Sequence, residues 1–304
     1  VEPRDVQQRV EHLAHAVHGV AHMAQQALGL VGRRALLTQA WERFGQARLL
    51  SLVGPGGTGK TRLSMAFKDA GKTTTQRPFS VGDHVGQPLT ITETVGDTLY
   101  FNAFTEDLFS WDNDLQGDSK RVYRLNSASR FLSGIKELAL EVRIQSYLGR
   151  YTDFDFNIDY TNWTIAFGKG GAEHIKVSRG EENIFVWCLF MALCERALDG
   201  HPSYDWVKFF YIDDPISSLD DNNAIAVASD LAKLLRKAQG RIKVVVSSHH
   251  ALFFNVVCNE LKKSKTKRYF LHRPNRGEQL TLRATDDTPF FHHVAMLSEI
   301  RKAA

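Results

Sequence analysis

The sequence has few cysteines and no long apolar run. Its 304 residues include three cysteines, Cys188, Cys194 and Cys258, and none of them has CxxC spacing. Two of the three lie in strongly apolar segments, which predicts reduced, buried thiols. No stretch reaches the roughly 18 apolar residues of a membrane span. Because the first residues mix acids, bases and glutamines and form no apolar signal block, we expect a cytoplasmic chain without a membrane partner.

The sequence also has no strong charge excess, no internal repeat and no heptad run long enough for a coiled coil. Its formal net charge is +4, with 38 basic and 34 acidic residues. The longest basic cluster, Lys262 to Arg268, is too short to establish a nucleic-acid partner, and a solvated helix end running into a strand explains it equally well. A composition of 43% hydrophobic residues allows one large α/β domain or two smaller ones.

Four histidines recur near the N-terminus at three- and four-residue spacing. They are His12, His15, His18 and His22. Residues at this spacing share a helix face, so a metal site is one hypothesis. No cysteine or carboxylate cluster joins them at the spacing of a zinc site, and a partly exposed helix face is the favoured interpretation.

Apolar strands alternate with helical patterns along the chain. A strand over residues 49–53 leads into a glycine-rich turn and a helix after Lys60. Near the C-terminal end, strands over 207–212, 242–246 and 267–271 alternate with helices over 222–237 and 250–261, the βαβ pattern of a parallel sheet. The middle of the chain is predicted to contain a loop or weak β structure over 71–95, a strand over 99–104, a helical lobe over about 105–150, a hairpin over 154–167 and a long apolar helix over 180–198.

A glycine-rich segment after the first strand matches the phosphate-loop pattern. The glycines let backbone N–H groups surround a β-phosphate, while Lys60 reaches the β and γ oxygens and Thr61 holds Mg²⁺. A simple glycine-rich turn is the less favoured alternative. The predicted nucleotide-binding residues are Gly54, Gly56, Gly57, Thr58, Gly59, Lys60, Thr61 and Arg62.

A second motif places two carboxylates after the apolar residues 209–212. Because the carboxyl ends of parallel strands carry the ligands of α/β sheets, Asp213 is expected to coordinate Mg²⁺ and Asp214 to act as the general base that activates water. Taken alone, such a pair is more often a turn or a helix cap. The segment that follows supplies Ser218 and Asp220, which are interpreted as a D-loop.

Two further motifs complete an ordered set. The segment Ser178, Arg179, Gly180 and Glu181 precedes the long helix, and on its own it would be an N-cap that can bind an anion. His249 follows the strand at 242–246 and is predicted to contact the γ-phosphate. The order of phosphate loop, Ser-x-Gly-Glu, acidic strand, Ser-Ser-Leu-Asp and histidine is that of an ABC ATPase. We therefore predict an α/β, ABC-type P-loop NTPase fold with a mainly parallel sheet, a β-hairpin region and a helical lobe.

Five segments also resemble the PrrC-type anticodon nucleases, over roughly residues 57–273. They are residues 57–64, 100–109 with 111–115, 174–182, 211–221 and 253–257, and the string Asn-Ala-Phe-Thr-Glu-Asp-Leu-Phe at 102–109 is specific to that family. The resemblance implies an ABC-like NTPase that controls a tRNA anticodon-loop endonuclease in anti-phage defence. The family's nuclease group, an Arg-x-x-x-Glu pair with a later His, is not found after Arg273, so cutting would belong to a further region or a partner.

These expectations define the whole chain. Residues 1–45 are predicted as an N-terminal helical segment, 46–285 as the NTPase domain with its insertion at about 105–150, and 286–304 as the start of a C-terminal extension. The substrate is ATP or GTP with Mg²⁺, and the expected partners are a second copy or higher assembly, a restriction-modification or other defence complex, and tRNA. Two alternatives remain open, a DNA-repair ATPase head of the SMC or RecF kind and a signalling NTPase of the STAND type.

Overall fold

The computed structural model describes much of the chain between residues 49 and 301. The described residues are 49–53, 60–79, 89–102, 109–113, 121–132, 135, 140–216, 219, 221–238, 242–261, 266–272, 281–285 and 301. The predicted N-terminal segment, the glycine-rich residues 54–59, both predicted D-loop residues and nearly all of the predicted C-terminal extension lie outside these ranges.

The described residues form both α-helices and β-strands. The helices are α1 Lys60–Ala70, α2 Leu140–Leu148, α3 Arg179–Leu198, α4 Asp221–Lys237 and α5 Ala251–Glu260. The strands are β1 Leu49–Val53, β2 Thr73–Phe79, β3 Leu89–Val95, β4 Thr98–Asn102, β5 Phe109–Asn113, β6 Arg121–Leu125, β7 Asp155–Asp159, β8 Thr164–Lys169, β9 Ala172–Glu173, β10 Phe209–Asp213, β11 Lys243–Ser248, β12 Thr266–His272 and β13 Thr281–Ala284.

A six-stranded sheet forms the centre of the fold, in the order β13-β12-β1-β11-β10-β4. All its neighbouring pairs are parallel except β12 with β13. Every residue of β10 is buried, as expected for a strand whose sheet is covered on both faces. Phe209 and Tyr211 face the cluster around α1, whereas Phe210 and Ile212 face the larger core. The predicted mainly parallel α/β fold is confirmed.

A second, antiparallel sheet follows in the order β5-β6-β8-β7, with β9 paired to β8. Its β7–β8 pair is the predicted hairpin. The prediction of a helical insertion over about 105–150 was wrong in part, because β5 and β6 lie in its first half and only α2 is an α-helix among its described residues. In β6, Tyr123 and Leu125 are buried and Arg124 is exposed, a two-residue period that marks a strand.

Within the segment 71–95, the described residues 73–79 and 89–95 form a two-stranded sheet. β2 and β3 pair antiparallel, from Thr73 opposite Val95 to Phe79 opposite Leu89. Of the two sequence expectations for this segment, a loop or weak β structure, the structure bears out the second.

The long helix α3 is the largest contributor to the core. Twelve of its residues are buried, including Trp187, whose ring packs edge-on against Phe101 of β4 at 5.2 Å between centroids. Cys188, Cys194 and Cys258 are free and buried, as predicted, and burial raises the pKa of the Cys188 thiol. Within the described part of the chain, no helix combines the length and apolar character needed to cross a membrane.

Candidate nucleotide site at the carboxyl edge of the sheet

The parallel register brings the predicted catalytic segments to one edge of the sheet. Asp213 at the end of β10 stands opposite Ser247 of β11, and Ser248 stands opposite Val53, the last residue of β1. On the other side of β10, Asp213 stands opposite Asn102 at the end of β4. Four strands therefore end together, which is where α/β sheets bind their ligands.

The carboxylate of Asp213 is buried and held on both oxygens. Ser64 Oγ, from α1, donates to Oδ2 at 3.0 Å, and Ser247 Oγ donates to Oδ1 at 2.5 Å. Asp213 is only 1% exposed, so these hydrogen bonds compensate for its loss of water. Ser64 also contacts the Tyr100 hydroxyl at 2.9 Å. The Asp213 side chain is thus fixed between the helix that follows the glycine-rich segment and two strands of the sheet.

Asp214 follows directly and adopts a left-handed backbone conformation, with φ of 52°. Aspartate and asparagine tolerate this region better than most residues. The conformation turns the chain so that Asp214 N donates to Ser247 O at 2.7 Å, while its Oδ1 accepts from Ser248 Oγ at 3.1 Å. The chain reversal therefore directs the second carboxylate towards the loop after β11.

His249 contacts the Asp214 carboxylate through two groups. Its ring Nδ1 lies against Asp214 Oδ2, and its backbone N–H donates to Oδ1 at 3.3 Å. Burial acts to raise the pKa of Asp214, but the hydrogen bonds and the close imidazole of His249 outweigh it, so the net pKa is lowered. The neighbouring His250 has a different position, because it is the N-cap of α5 and accepts from Phe253 N at 3.5 Å.

The phosphate-loop prediction falls partly outside the described residues. Gly54, Gly56, Gly57, Thr58 and Gly59 are outside them, and β1 ends at Val53, just before this segment. The helix α1 begins at Lys60 and contains Thr61 and Arg62 in its first turn, and the side chains of these three residues are also outside the described part. The structure thus shows a strand directly before the glycine-rich segment and a helix directly after it, as the phosphate-loop prediction requires of its two neighbours.

The second set of predicted residues lies at the start of α3. Ser178 is the N-cap and forms a capping box, in which Glu181 N donates to Ser178 Oγ at 3.3 Å and Ser178 N donates to Glu181 Oε2 at 2.7 Å. Arg179 and Gly180 form the beginning of the first turn. The reciprocal bonds satisfy N–H groups that a helix start would otherwise leave open.

A cavity of about 510 Å³ opens beside this helix start. It is lined by Ser178, Gly180 and Glu181, by Arg150 from the turn after α2, and by Asn223 of α4. The predicted D-loop residues Ser218 and Asp220 lie outside the described residues, but Leu219 between them also lines the cavity. The structure therefore separates the predicted site residues into the sheet edge, with Asp213, and this cavity.

Several polar residues of these sites were missed by the sequence analysis. Ser64, Tyr100 and Ser247 lie around Asp213. Asp230 of α4 is not in the cavity lining but holds two residues that are, because it accepts from Arg150 Nη1 at 2.5 Å and from the Tyr151 hydroxyl at 2.6 Å. A signal was present for two of them. Ser64 lies three residues after Thr61 on the same helix. Asp230 is a charged residue at a helix position whose spacing from the apolar residues predicts burial.

The residues around Asp213 fit a magnesium ion. A hard cation such as Mg²⁺ prefers oxygen donors, retains several waters and takes only one or two carboxylates from a protein. The sheet edge offers the fixed carboxylate of Asp213 among hydroxyl groups. Among the described residues there is no cluster of three or more histidine, cysteine or acidic side chains, the arrangement expected of a metal bound entirely by protein. The carboxylate and hydroxyl oxygens at this edge are donors of the kind that suits Mg²⁺.

The fold and this edge define an ABC-type P-loop NTPase. The AAA domain family matches residues 126–294, more than half of the chain, and the chain belongs to that family. The anticodon nuclease of Escherichia coli is 37% identical over 228 residues, which cover 67% of this chain and 56% of the relative. The resemblance to the ABC-like NTPase region of PrrC-type anticodon nucleases is confirmed, and the chain spans little more than half the length of this relative.

Solved structures with some likeness include an SMC head bound to the C-terminal winged-helix domain of ScpA. It is 11% identical, has a TM-score of 0.41, and the match covers 79% of this chain and 91% of the other. The RNase-L inhibitor is 16% identical with a TM-score of 0.36, over 78% of this chain and 34% of the other.

Proposed function

We propose that this chain is the nucleotide-hydrolysing switch of an anticodon nuclease. It binds ATP or GTP with Mg²⁺, dimerises around the nucleotide in the cytoplasm, and controls an endonuclease that cuts a tRNA anticodon loop in anti-phage defence. The observation that carries the proposal is the sheet edge where Asp213, Asp214 and His249 meet next to the start of α1. The proposal that the controlled enzyme is a tRNA endonuclease is supported by the relative named anticodon nuclease.

Hydrolysis follows from the chemistry of the two carboxylates. Bound Mg²⁺ would neutralise developing charge on the phosphate oxygens, with Thr61 and Asp213 as its protein groups. Asp214 is the proposed general base, because its carboxylate lies at the sheet edge and its lowered pKa favours the ionised form, which is the form that can accept a proton from an attacking water. His249 orients this carboxylate through its ring and its backbone N–H, and it is the proposed sensor of the γ-phosphate.

Dimerisation would complete the site with the helix start of a second copy. In this arrangement Ser178, Arg179, Gly180 and Glu181 of one protomer approach the γ-phosphate held by Lys60 and Thr61 of the other. Ser178 Oγ is engaged with Glu181 N by a bond of 3.3 Å, long for a hydrogen bond. A phosphate oxygen is a stronger acceptor for the same N–H, so nucleotide can replace this contact and draw two copies together.

The hydrolysis cycle would then set the state of the nuclease. Two copies joined by triphosphate separate when the γ-phosphate is lost, and this change is transmitted to an attached nuclease region or to a partner in a restriction-modification or other defence complex. Such a change requires that nucleotide bind the closed dimer more tightly than the separated copies.

Nucleotide turnover and dimer formation test the enzymatic part. Lys60→Ala should abolish nucleotide binding and turnover, because the main cation of the phosphate loop is lost. The matched control is Lys72→Ala, which removes an exposed lysine just after the same helix, paired only locally with Asp69, and should behave like wild type. Analytical ultracentrifugation with a non-hydrolysable triphosphate should show a dimer for wild type and a monomer for Lys60→Ala. Wild-type turnover in Lys60→Ala would contradict the assignment.

A tRNA-cleavage assay tests the output. The chain should be mixed with tRNA alone and together with the C-terminal half of the Escherichia coli relative, with ATP, GTP or neither present. Nucleotide-dependent cleavage only in the presence of the nuclease half supports the switch. Nucleotide turnover with no effect on cleavage in any mixture would refute the control of a nuclease, and formation of rings that retain ADP would favour a STAND-type module.

A further inference from the structure

A chain of hydroxyl groups connects Asp213 to β4. Tyr100 of β4 and Ser64 of α1 lie 2.9 Å apart, and Ser64 Oγ donates to Asp213 Oδ2 at 3.0 Å. A serine hydroxyl has a single hydrogen. Since that hydrogen is directed to the carboxylate, the Tyr100 hydroxyl must be the donor to Ser64. The hydrogen bonds therefore run in one direction, from Tyr100 through Ser64 to Asp213.

The opposite oxygen of the carboxylate is fixed from the other side. Ser247 Oγ donates to Asp213 Oδ1 at 2.5 Å, and Ser64, Ser247 and Asp213 are all essentially inaccessible to solvent. A buried carboxylate with a donor on each oxygen cannot rotate freely, because rotation would break a charge-assisted hydrogen bond at a position that solvent does not reach. The plane of the Asp213 carboxylate is thus set by two serines from different elements.

Ser64 is also tied to the predicted metal ligand through its helix. Position 61 is three residues before Ser64 on α1, and residues at this spacing share a face of a helix. The hydrogen bond from Ser64 to Asp213 consequently fixes the distance between the start of α1 and the end of β10. Phe67, one turn further on, packs against Tyr211 and Phe209, with ring centroids 5.2 and 5.6 Å apart, and holds the helix in the same place.

Tyr100 is fixed as well, although it is only partly buried. Its ring lies 6.0 Å from that of Tyr211, and the Lys68 ammonium lies 5.3 Å from the ring centroid. Lys68 and Ser64 are four residues apart on α1, so the helix contacts Tyr100 at both its ring and its hydroxyl. These contacts join α1 to β4, the strand that lies beside β10 at the edge of the sheet.

We propose that Ser64 and Tyr100 are positioning residues for the magnesium ion, which hold the Asp213 carboxylate in the orientation that accepts a metal–nucleotide complex. The inference rests on the proposed function, because it requires that Asp213 serve Mg²⁺. Groups that orient a metal ligand affect metal affinity strongly, and their loss typically costs about 10- to 100-fold. The same groups should have little effect on nucleotide binding when no metal is present.

The test is a comparison of nucleotide binding with Mg²⁺ and with EDTA, measured on the full chain with a fluorescent ATP analogue. Ser64→Ala should weaken binding about tenfold with Mg²⁺ and leave the affinity in EDTA unchanged. Tyr100→Phe, which removes one oxygen from a partly exposed residue and should fold normally, should weaken Mg²⁺-dependent binding about two- to fivefold. Electron paramagnetic resonance titration of Mn²⁺ should give the same order of affinities without any turnover.

Thr98→Ala is the matched control. Thr98 is a buried hydroxyl on the same strand as Tyr100, but its Oγ1 donates to the adjacent Asp97 at 3.0 Å. It should leave both affinities unchanged. Equal weakening with and without Mg²⁺ in Ser64→Ala, or unaltered Mn²⁺ affinity in Tyr100→Phe, would overturn the inference. A wild-type chain without any Mg²⁺-dependent nucleotide binding would overturn the proposed function as well, whereas normal wild-type binding with unaffected variants would overturn the inference alone.

Discussion

The parallel and antiparallel sheets bury their residues differently. In β10 every residue is buried, with alternate side chains in two separate clusters, whereas in β7 the exposed Asp155 and Asn157 alternate with the less exposed Phe156 and Ile158. The first sheet is enclosed on both faces at β10, and the end of that strand presents fixed polar groups. The second has one face towards solvent and packs its other face on α3, for example through Phe167 and Phe185, with ring centroids 5.1 Å apart. We therefore expect nucleotide hydrolysis to depend on the parallel sheet. We expect the position of α3 to depend on the antiparallel sheet.

Among the described residues, two acidic side chains join the regions through polar contacts. Asp230 of α4, a helix that belongs to the parallel part, binds Arg150 and Tyr151 in the turn after α2. Glu195 of α3 binds Arg143 of α2 at 3.1 Å and Lys237 of α4 at 3.0 Å. We call these contacts of Asp230 and Glu195 the joints between the two regions. If the sheet edge carries catalysis, substitutions there should lower nucleotide turnover. If the joints only hold the two regions together, substitutions there should lower the free energy of unfolding.

The largest expected effect is on turnover in Asp214→Asn. Asparagine can adopt the left-handed conformation of Asp214 and can still accept from Ser248, but it cannot act as a base. Hydrolysis should fall about 10²- to 10⁴-fold while nucleotide binding stays within a few-fold of wild type, and the dimer should persist. Steady-state hydrolysis and equilibrium binding measure the two quantities.

The control for this change lies on the other sheet. Asp155→Asn makes the same chemical substitution on the exposed face of β7, and turnover should not change. Turnover at the wild-type rate in Asp214→Asn would remove Asp214 from the mechanism. Loss of turnover in both Asp214→Asn and Asp155→Asn would mean that catalysis does not depend on the parallel sheet alone.

The parallel sheet was predictable because its strands are short apolar runs between helical patterns. The run Phe209 to Ile212 followed by two aspartates indicated both the strand and the site at its end. The strands β5 and β6 were missed because β5 mixes polar and apolar residues and the alternation in β6 spans only five positions. A short strand of this kind is stabilised mainly by its neighbours, which the sequence does not display.

The site was predictable only as far as its motifs extended. Asp213, Asp214 and His249 follow strands at recognisable places, and the structure brings them to one edge, although their catalytic roles stay predictions. Ser64 and Tyr100 lie in segments that resemble the nuclease family, but they are separated by 36 residues, so their contact depends on how α1 packs across the sheet. Long-range polar pairing of this kind arises from tertiary packing and leaves no local pattern.

Asp230→Ala should produce the next largest effect, on stability. Asp230 is 5% exposed, and its removal leaves the Tyr151 hydroxyl and part of the Arg150 guanidinium without their acceptor. Loss of one partner of such a buried network costs about 3 kcal/mol, although the partial exposure of Arg150 lets water recover some of it. The melting temperature should fall by about 5 to 10 °C, measured by calorimetry.

The control for Asp230→Ala is a substitution in an exposed ion pair. Asp153→Ala removes a carboxylate that is 75% exposed and paired with Lys169, and it should not change the melting temperature measurably. Turnover per folded molecule should remain near wild type in both variants. A normal melting temperature for Asp230→Ala would show that the joint does not hold the two regions together.

Glu195→Gln should give the smallest effect, and it should depend on pH. Burial acts to raise the pKa of Glu195, but hydrogen bonds from Lys237 and Tyr147 and the charge of Arg143 outweigh it, so the folded pKa is lowered. A lowered pKa contributes stability that is present above the unfolded value, about 4.3, and is lost as pH falls through the folded value. Glu195→Gln should therefore be less stable than wild type at pH 7, by less than about 1 kcal/mol, and the difference should shrink below pH 4.

Urea unfolding at pH 7, 5, 4 and 3 measures this difference without adding salt. Lys237→Met, which removes one partner of Glu195, should reproduce part of the loss at pH 7, and 0.5 M NaCl should reduce the effect of both variants because the Lys237 side chain is 66% exposed. If the difference in unfolding free energy between wild type and Glu195→Gln grows as the pH falls, the protonated form of Glu195 is the form that stabilises the fold. In that case the contact between α3 and α4 would consist of neutral hydrogen bonds and not of charge pairs.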